Sequence, residues 1–199
     1  MMRMACLLAL AASAGFVPPA GADQTQAERA RERAAILSDE PVAPDAPYVS
    51  TPAVVVQRML DLAEVGPGDV LYDLGSGDGR IVIAAARRGA RAVGVEIDPD
   101  LVLESRTRSQ AAGVEDRVTF LCQDLFDTDF SEATIVTLYL LPGLNMKLRP
   151  KLLAELRPGA RVVSNSFHMG DWAPERTARV GGARLVLWVV PQPGGRAGD

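Results

Sequence analysis

The stretch "DLGSGDGR", residues 73–80, decides how this chain is read. Three glycines, at 75, 77 and 79, fall at every second position, with acids at 73 and 78. The apolar run "VLYDL" precedes the stretch and "RIVIAAARRG" follows it, so it reads as a turn from strand to helix. Glycine admits positive φ and lets backbone come close to a ligand. A dinucleotide site calls for G-x-G-x-x-G, with helix N-terminal amides free for a pyrophosphate. Here the third glycine's place is held by Arg80, and the pattern is G-x-G-x-G. Acids at 73 and 78 would repel a diphosphate and suit a ligand with a positive group.

Outward from the loop, strand and helix signals alternate. Upstream, "TPAVVVQRMLDLAEVG" is a helix pattern, with Thr51 as expected N-cap, Pro52 at the first helical position and Gly66-Pro67-Gly68 as the stop. Downstream, "RAVGVEI", "RVTFLCQD", "ATIVTLYL" and "ARVVSNSF" read as strands. The helix "DPDLVLESRTRSQAAG", capped by Asp98, follows the first of these. A second helix, "NMKLRPKLLAELRPG", precedes the last and is expected to break or restart at Pro150. "RTARV" and "ARLVLWVV" read as a hairpin through Gly181-Gly182. Apolar strands alternating with helices predict an α/β domain, a Rossmann-like doubly wound and mostly parallel sheet. In such sheets ligands bind at the carboxyl ends of the strands.

Acids stand at the ends of three successive strands: Asp73, Glu96 and Asp124. A carboxylate at 96 can accept both hydroxyls of a ribose, and one at 124 can accept from an adenine amino group. S-adenosyl-L-methionine satisfies all three demands, since its tail is cationic and it has no phosphate. A metal centre is not expected, because one histidine and one cysteine outside residues 1–22 cannot make a zinc site. Cys122 lies in an apolar strand pattern and reads as a packed thiol, His168 as a loop histidine, and Trp172 as a packing anchor.

Taken together, "VLYDLGSGDGR…AVGVEIDPD…VTFLCQDLF" resembles the class I S-adenosylmethionine-dependent methyltransferases. "PYVSTP", "YLLPGLNMKLRPKLLAELRPGARVV", and Phe167, Trp172 and Pro174 are similar to a narrower group, the ATP synthase c-subunit lysine N-methyltransferases and their bacterial relatives. The resemblance implies a seven-stranded type of sheet, expected to be shortened because little chain remains after the fifth strand. It implies that Asp73, Gly75, Ser76, Gly77 and Gly79 hold the methionine part. Glu96 would hold the ribose and Asp124 the adenine, with Ile97 and Leu125 against the ring, and Tyr48 and Thr51 would close over the cofactor. Tyr139 and Leu140 would shape the mouth through which the methyl passes. The mouth departs from the N/D-P-P-Y/F motif of enzymes acting on adenine or glutamine. The resemblance implies a protein lysine as the acceptor, or otherwise a small molecule. Two alternatives are a non-catalytic adenosyl-ligand binding protein and a NAD(P)-binding oxidoreductase, the latter weakened by the missing glycine and by Asp124.

The remaining sequence bears on location. Residues 1–22 look like a secretory signal: Arg3, an apolar run from Ala5 to Val17, and Ala20-Gly21-Ala22 as a small-x-small cleavage site. That run is shorter than the roughly 20 residues a membrane span needs. Export is therefore expected, without stable membrane insertion if the signal is cleaved, although the methyl donor is made in the cytosol. Residues 23–47 form a charged and proline-rich linker, 48–191 the methyltransferase domain, and 192–199 a disordered tail, all as expectations. With 199 residues and a net charge of −4 the chain shows no basic stripe, so nucleic acid is not expected as a partner and a monomer is.

Overall fold

A computed structural model describes residues 30, 31, 33, 34 and 48–192. The expected signal, most of the linker and all but the first residue of the tail lie outside the described residues. Of the upstream helical pattern, residues 30, 31, 33 and 34 are helical, and the Arg33 guanidinium pairs with Asp100 at 2.7 Å.

The elements run α1 (Ala53–Leu62), β1 (Val70–Leu74), α2 (Arg80–Arg87), β2 (Arg91–Glu96) and α3 (Pro99–Ala111). After a short 3-10 turn come β3 (Val118–Cys122), β4 (Ile135–Leu138), α4 (Pro142–Glu155) and β5 (Arg161–Asn165). The chain closes with β6 (Arg176–Val180) and β7 (Ala183–Val189). They form one seven-stranded sheet in the order β3-β2-β1-β4-β5-β7-β6. β1 to β5 pair in parallel, while β7 runs antiparallel to β5 and β6. The order reverses between β1 and β4, and this switch point opens the crevice where such sheets bind ligands.

The strands are apolar on both faces because both faces are covered. Leu71, Ile135, Val163 and Leu187 join one core layer with residues of α1, α2 and α3. Their neighbours Tyr72, Val136, Val162 and Trp188 join the opposite layer with Leu148 and Leu152 of α4. The Trp188 indole donates to the Trp172 carbonyl at 2.8 Å and the two rings lie 6.0 Å apart, so Trp172 is a packing anchor.

Three expectations are corrected. The sheet is not shortened, since all seven strands are present. What is short is the second face: the β3–β4 and β5–β6 connections contain no helix among the described residues, and Phe130, Met169 and Trp172 from these loops fill the layer instead. Pro150 neither breaks nor restarts α4, which runs unbroken from Pro142 to Glu155. Pro150 and Met146 are both exposed, so the carbonyl that loses its i→i−4 bond faces water. Thr51 does not cap α1: Pro52 holds the cap position, and its carbonyl accepts from Val55 and Val56. Thr51 is buried, and its carbonyl accepts from the Arg80 guanidinium at 2.8 Å.

Candidate active site

A cavity of ≈ 250 Å³ opens at the carboxyl ends of β1, β2, β3 and β4. Tyr48, Thr51, Asp73, Gly75, Ser76, Glu96, Ile97, Asp124, Leu125, Tyr139 and Leu140 all line it. Gly77 and Gly79, expected in the site, are not among the lining residues; Gly77 reaches it only through its amide, which donates to Glu96. The loop 75–79 turns tightly because Gly75, Gly77 and Gly79 all take positive φ, at 78°, 54° and 74°. Gly77 is needed twice over. A Cβ there would sit 2.3 Å from the Tyr48 ring, and the φ is one that side chains avoid. Sequence adjacency gives no hint of this contact, which seats Tyr48 on a loop far along the chain.

Four of the five amides of the loop 75–79 are already used. Gly75 and Ser76 donate to the Val95 carbonyl, Gly79 donates to the Ser76 carbonyl, and Gly77 donates to Glu96 Oε2 at 2.8 Å. The Arg80 amide donates to Asp78 Oδ1. A pyrophosphate needs such amides pointing outward. These are spent on partners inside the protein, which counts against a dinucleotide reading.

The three strand-end carboxylates are held in different ways. Glu96 Oε1 accepts from the Ile97 and Asp98 amides at 2.9 and 3.0 Å, so with Gly77 its carboxylate is fixed by three backbone donors. Asp124 Oδ1 accepts from the Phe126 amide at 2.8 Å, and its other oxygen takes no bond among the described residues. Asp73 is buried, and its Oδ1 accepts from the Thr137 hydroxyl at 2.7 Å. Burial pushes its carboxyl up to about 7; the Thr137 bond opposes this, and Glu96 and Asp78 add to it. A buried acid near Glu96 with no cation of its own fits a cationic group from outside. The Ser76 hydroxyl is also buried on the cavity wall with no partner among the described residues. Leaving it so costs about 1–3 kcal/mol. These features fit the amino-acid end of S-adenosyl-L-methionine.

Asp78 is a correction to the reading of the loop acids. It is buried and paired with Arg80 at 2.6 Å and with Arg108, and these guanidiniums hold its carboxyl below the usual range against the cost of burial. Its charge is neutralised inside the protein and is not available to a ligand. Arg80 thereby links three segments: the loop, α3 through the shared Asp78, and the Tyr48–Thr51 arm through the Thr51 carbonyl.

The β4 side of the cavity is apolar. Leu140 packs so closely that a Cβ on Gly75 would lie 2.9 Å from its Cδ2. Tyr139 is half-buried and stacks with Phe167, ring centroids 6.4 Å apart and planes 19° from parallel. Further lining residues fall outside the sequence-based reading of the site, among them Leu101, Gln123, Phe126 and Leu144. Phe126 stands two residues after Asp124, and Leu144 lies in the first turn of α4, which starts two residues after Leu140. His168 is exposed and is not among the cavity's lining residues; its Nδ1 accepts from the Gly170 amide at 3.1 Å. The Cys122 thiol is half-buried, near the Ile97 carbonyl at 3.8 Å, with burial pushing its pKa up, as suits an inert packed thiol. Among the described residues no group of acidic, histidine and cysteine side chains could hold a metal.

Comparison with known proteins agrees with this geometry. Residues 73–176 match the model of the ANTKMT methyltransferase domain. A protein-lysine N-methyltransferase of Saccharolobus islandicus is 45% identical over 139 residues, covering 69% of this chain and 86% of that protein. The adenine nucleotide translocase lysine N-methyltransferase of mouse is 39% identical over 145 residues, covering 72% of this chain and 63% of the mouse protein. Among solved structures, an RNA methyltransferase from Salinibacter ruber in complex with S-adenosyl-L-homocysteine is 57% identical. Its TM-score is 0.73, with 76% of this chain and 99% of that one covered. The chain belongs to the ANTKMT methyltransferase domain family and is an S-adenosyl-L-methionine-dependent methyltransferase.

Proposed function

We propose that the chain N-methylates the side-chain amine of lysine in a protein. The observation that carries this reading is a single cleft with two chemically opposite ends. One end presents Asp73, Glu96 and Asp124; the other presents Tyr139, Leu140 and Leu144, whose only ionisable group is the Tyr139 phenol. The relatives named for lysine methylation support the acceptor.

The cofactor supplies a methyl group on a positively charged sulfur, already activated for displacement. The protein's part is therefore holding and aiming. Asp73 takes the ammonium of the tail, with the Ser76 hydroxyl beside it. Glu96, held by three amides, takes the ribose hydroxyls without having to reorganise. Asp124 takes the adenine amine, while Ile97 and Leu125 cover the ring and Tyr48 and Thr51 close from the other side. Fixing both reactants in line accounts for up to roughly 7–11 kcal/mol of the barrier. Lysine must arrive with its lone pair free, and an exposed amine titrates near 10.4. A dry slot made by Leu140 and Leu144 favours the neutral amine, and Tyr139 orients it.

A second reading, an RNA acceptor, is favoured by one observation, the name of the Salinibacter ruber relative at 57% identity. One experiment separates the two. Labelled S-adenosyl-L-methionine is supplied with the purified chain to a cell extract, and protein and RNA fractions are counted. Label in lysines of digested protein is the expected result; label in RNA alone overturns the lysine reading.

We propose further that residues 1–22 direct export, on the strength of their charge, apolar length and small residues at 20 and 22. Mass spectrometry of the mature chain is expected to find Asp23 at the N-terminus. A chain retaining those residues in the soluble cytosolic fraction counts against it.

A further inference from the structure

Phe167 lies outside the cofactor cavity, one ring beyond Tyr139, and belongs to neither core layer. Yet its position is tightly controlled. Ser166 before it takes φ 72°, a strained value for a residue with a side chain, and its amide donates to the Arg184 carbonyl at 2.7 Å. The Ser166 hydroxyl lies 2.9 Å from Asn165 Oδ1, and the Phe167 amide donates to the Asn165 carbonyl at 3.0 Å. Asn165 itself is buried at the end of β5. The β4–β5 register pairs Leu138 with Ser164, which sets Tyr139 level with Asn165. Strain of this kind persists only where the surroundings enforce it. Here it aligns a half-buried aromatic ring with another that lines the methyl-transfer mouth, and it adds nothing to the core.

We propose that Phe167 is a specificity residue, forming with Tyr139 an aromatic clamp for the alkylammonium stem of the acceptor. The inference rests on the lysine reading and deepens it. The two rings stack on each other, centroids 6.4 Å apart, so no chain passes between them; their adjoining faces and edges form one aromatic surface that grips a slim aliphatic chain ending in a cation, through apolar contact and cation–π attraction. That surface suits a flat, anionic nucleotide far less. The clamp also tolerates methyl groups on the nitrogen, because each one makes the cation less hydrated and more apolar. In each round the ammonium loses a proton to solvent, its lone pair forms the new N–C bond, and the C–S bond breaks to leave a neutral thioether. The product is again an ammonium that the clamp can retain, so di- and trimethylation follow from the same geometry.

The test uses the full chain and poly-L-lysine as acceptor, comparing wild type with Phe167→Tyr, Phe167→Leu and Phe167→Ala. S-adenosyl-homocysteine binding reports on folding. Expected are a KM raised about tenfold in the Leu and Ala variants, kcat within about threefold, unchanged homocysteine-ligand affinity, and near-wild-type behaviour for Tyr. The trimethylated fraction read by mass spectrometry falls in Leu and Ala. If wild type methylates poly-L-lysine and all three variants match it in KM and methylation state, the clamp is wrong and the lysine reading stands. If losses in kcat track losses in homocysteine-ligand binding, Phe167 is structural and the clamp is again wrong. If wild type labels RNA and leaves poly-L-lysine untouched, the lysine reading fails and the clamp falls with it.

Discussion

On the β1–β3 side of the cleft the walls are carboxylates held by hydrogen bonds; on the β4–β5 side they are rings and aliphatic chains held by packing and backbone strain. Glu96 has three amide donors within its own loop and the adjacent one, and Asp124 has the Phe126 amide two residues on. Tyr139 and Phe167 have each other, from the ends of two neighbouring strands that a whole helix separates in sequence. The first arrangement is local and recognises one invariant molecule. The second is assembled over long sequence distance and, on the function proposed above, faces the acceptor, the part of the reaction that differs between enzymes sharing this fold. The contrast can be attacked from both sides.

The largest effect is expected at Glu96. Glu96→Ala removes the acceptor for the ribose and leaves three amides without their partner, and affinity for S-adenosyl-homocysteine by calorimetry should fall about a hundredfold or more. Glu96→Gln is not a gentle replacement. Oε1 accepts from two amides and Oε2 from one, so whichever way the side-chain amide turns, its NH₂ opposes a backbone N–H. Binding within about threefold of wild type in both variants would show that the local hydrogen-bond set is dispensable. Next comes Gly77→Ala, which forces a Cβ against the Tyr48 ring and into a disfavoured φ. A loss of about 1–2 kcal/mol in urea unfolding is expected, with weaker cofactor binding as Tyr48 is displaced.

The pH response of Asp73 tests the same side more finely. Its carboxyl is raised by burial to about 7 from an ordinary 3.8. A cationic tail binds only the ionised form, so affinity for S-adenosyl-homocysteine should be about tenfold weaker at about pH 6 than at about pH 8. Stability runs the other way. Because the folded-state value is the higher one, Asp73 favours the ligand-free fold at acid pH, and that contribution disappears as pH rises from about 4 through about 7. Asp73→Asn should therefore raise the melting temperature of the free protein at about pH 8 while flattening the pH dependence of binding. A variant that binds normally and still shows the slope would assign the proton to another group.

The unequal legibility of the two sides has the same cause. Asp73, Glu96 and Asp124 stand at strand ends that hydropathy marks clearly, and a parallel sheet brings successive strand ends together. The glycine pattern also announces its turn. By contrast, Asp78 and Asp73 look alike in the sequence, and only the packing of α3 against the loop brings Arg108 to one of them. Chain length understates the number of strands, because this fold omits helices from its second face and spends the saved residues on the sheet. Ser166 and Asn145 give no sequence signal at all. One is strained at the end of β5; the other is buried on α4, with its carbonyl oxygen lacking a partner among the described residues.

The smallest effect, and the one that most sharpens the comparison, is expected at Tyr139. If the acceptor side works by shape and dryness, the ring matters more than the hydroxyl. Tyr139→Phe keeps the stack on Phe167 and removes only the orienting oxygen, a neutral hydrogen bond worth about 0.5–1.5 kcal/mol; kcat/KM on lysine should fall by about threefold to tenfold. Tyr139→Ala opens the wall, admits water and leaves Phe167 without its partner, so it should cost more, chiefly in kcat as the amine becomes harder to keep neutral. If the phenylalanine variant is as impaired as the alanine one, the oxygen is the operative group, and the acceptor side resembles the donor side after all. If both turn over normally, Tyr139 has no part in aiming the amine, and the mouth must be sought along Leu140 and Leu144 instead.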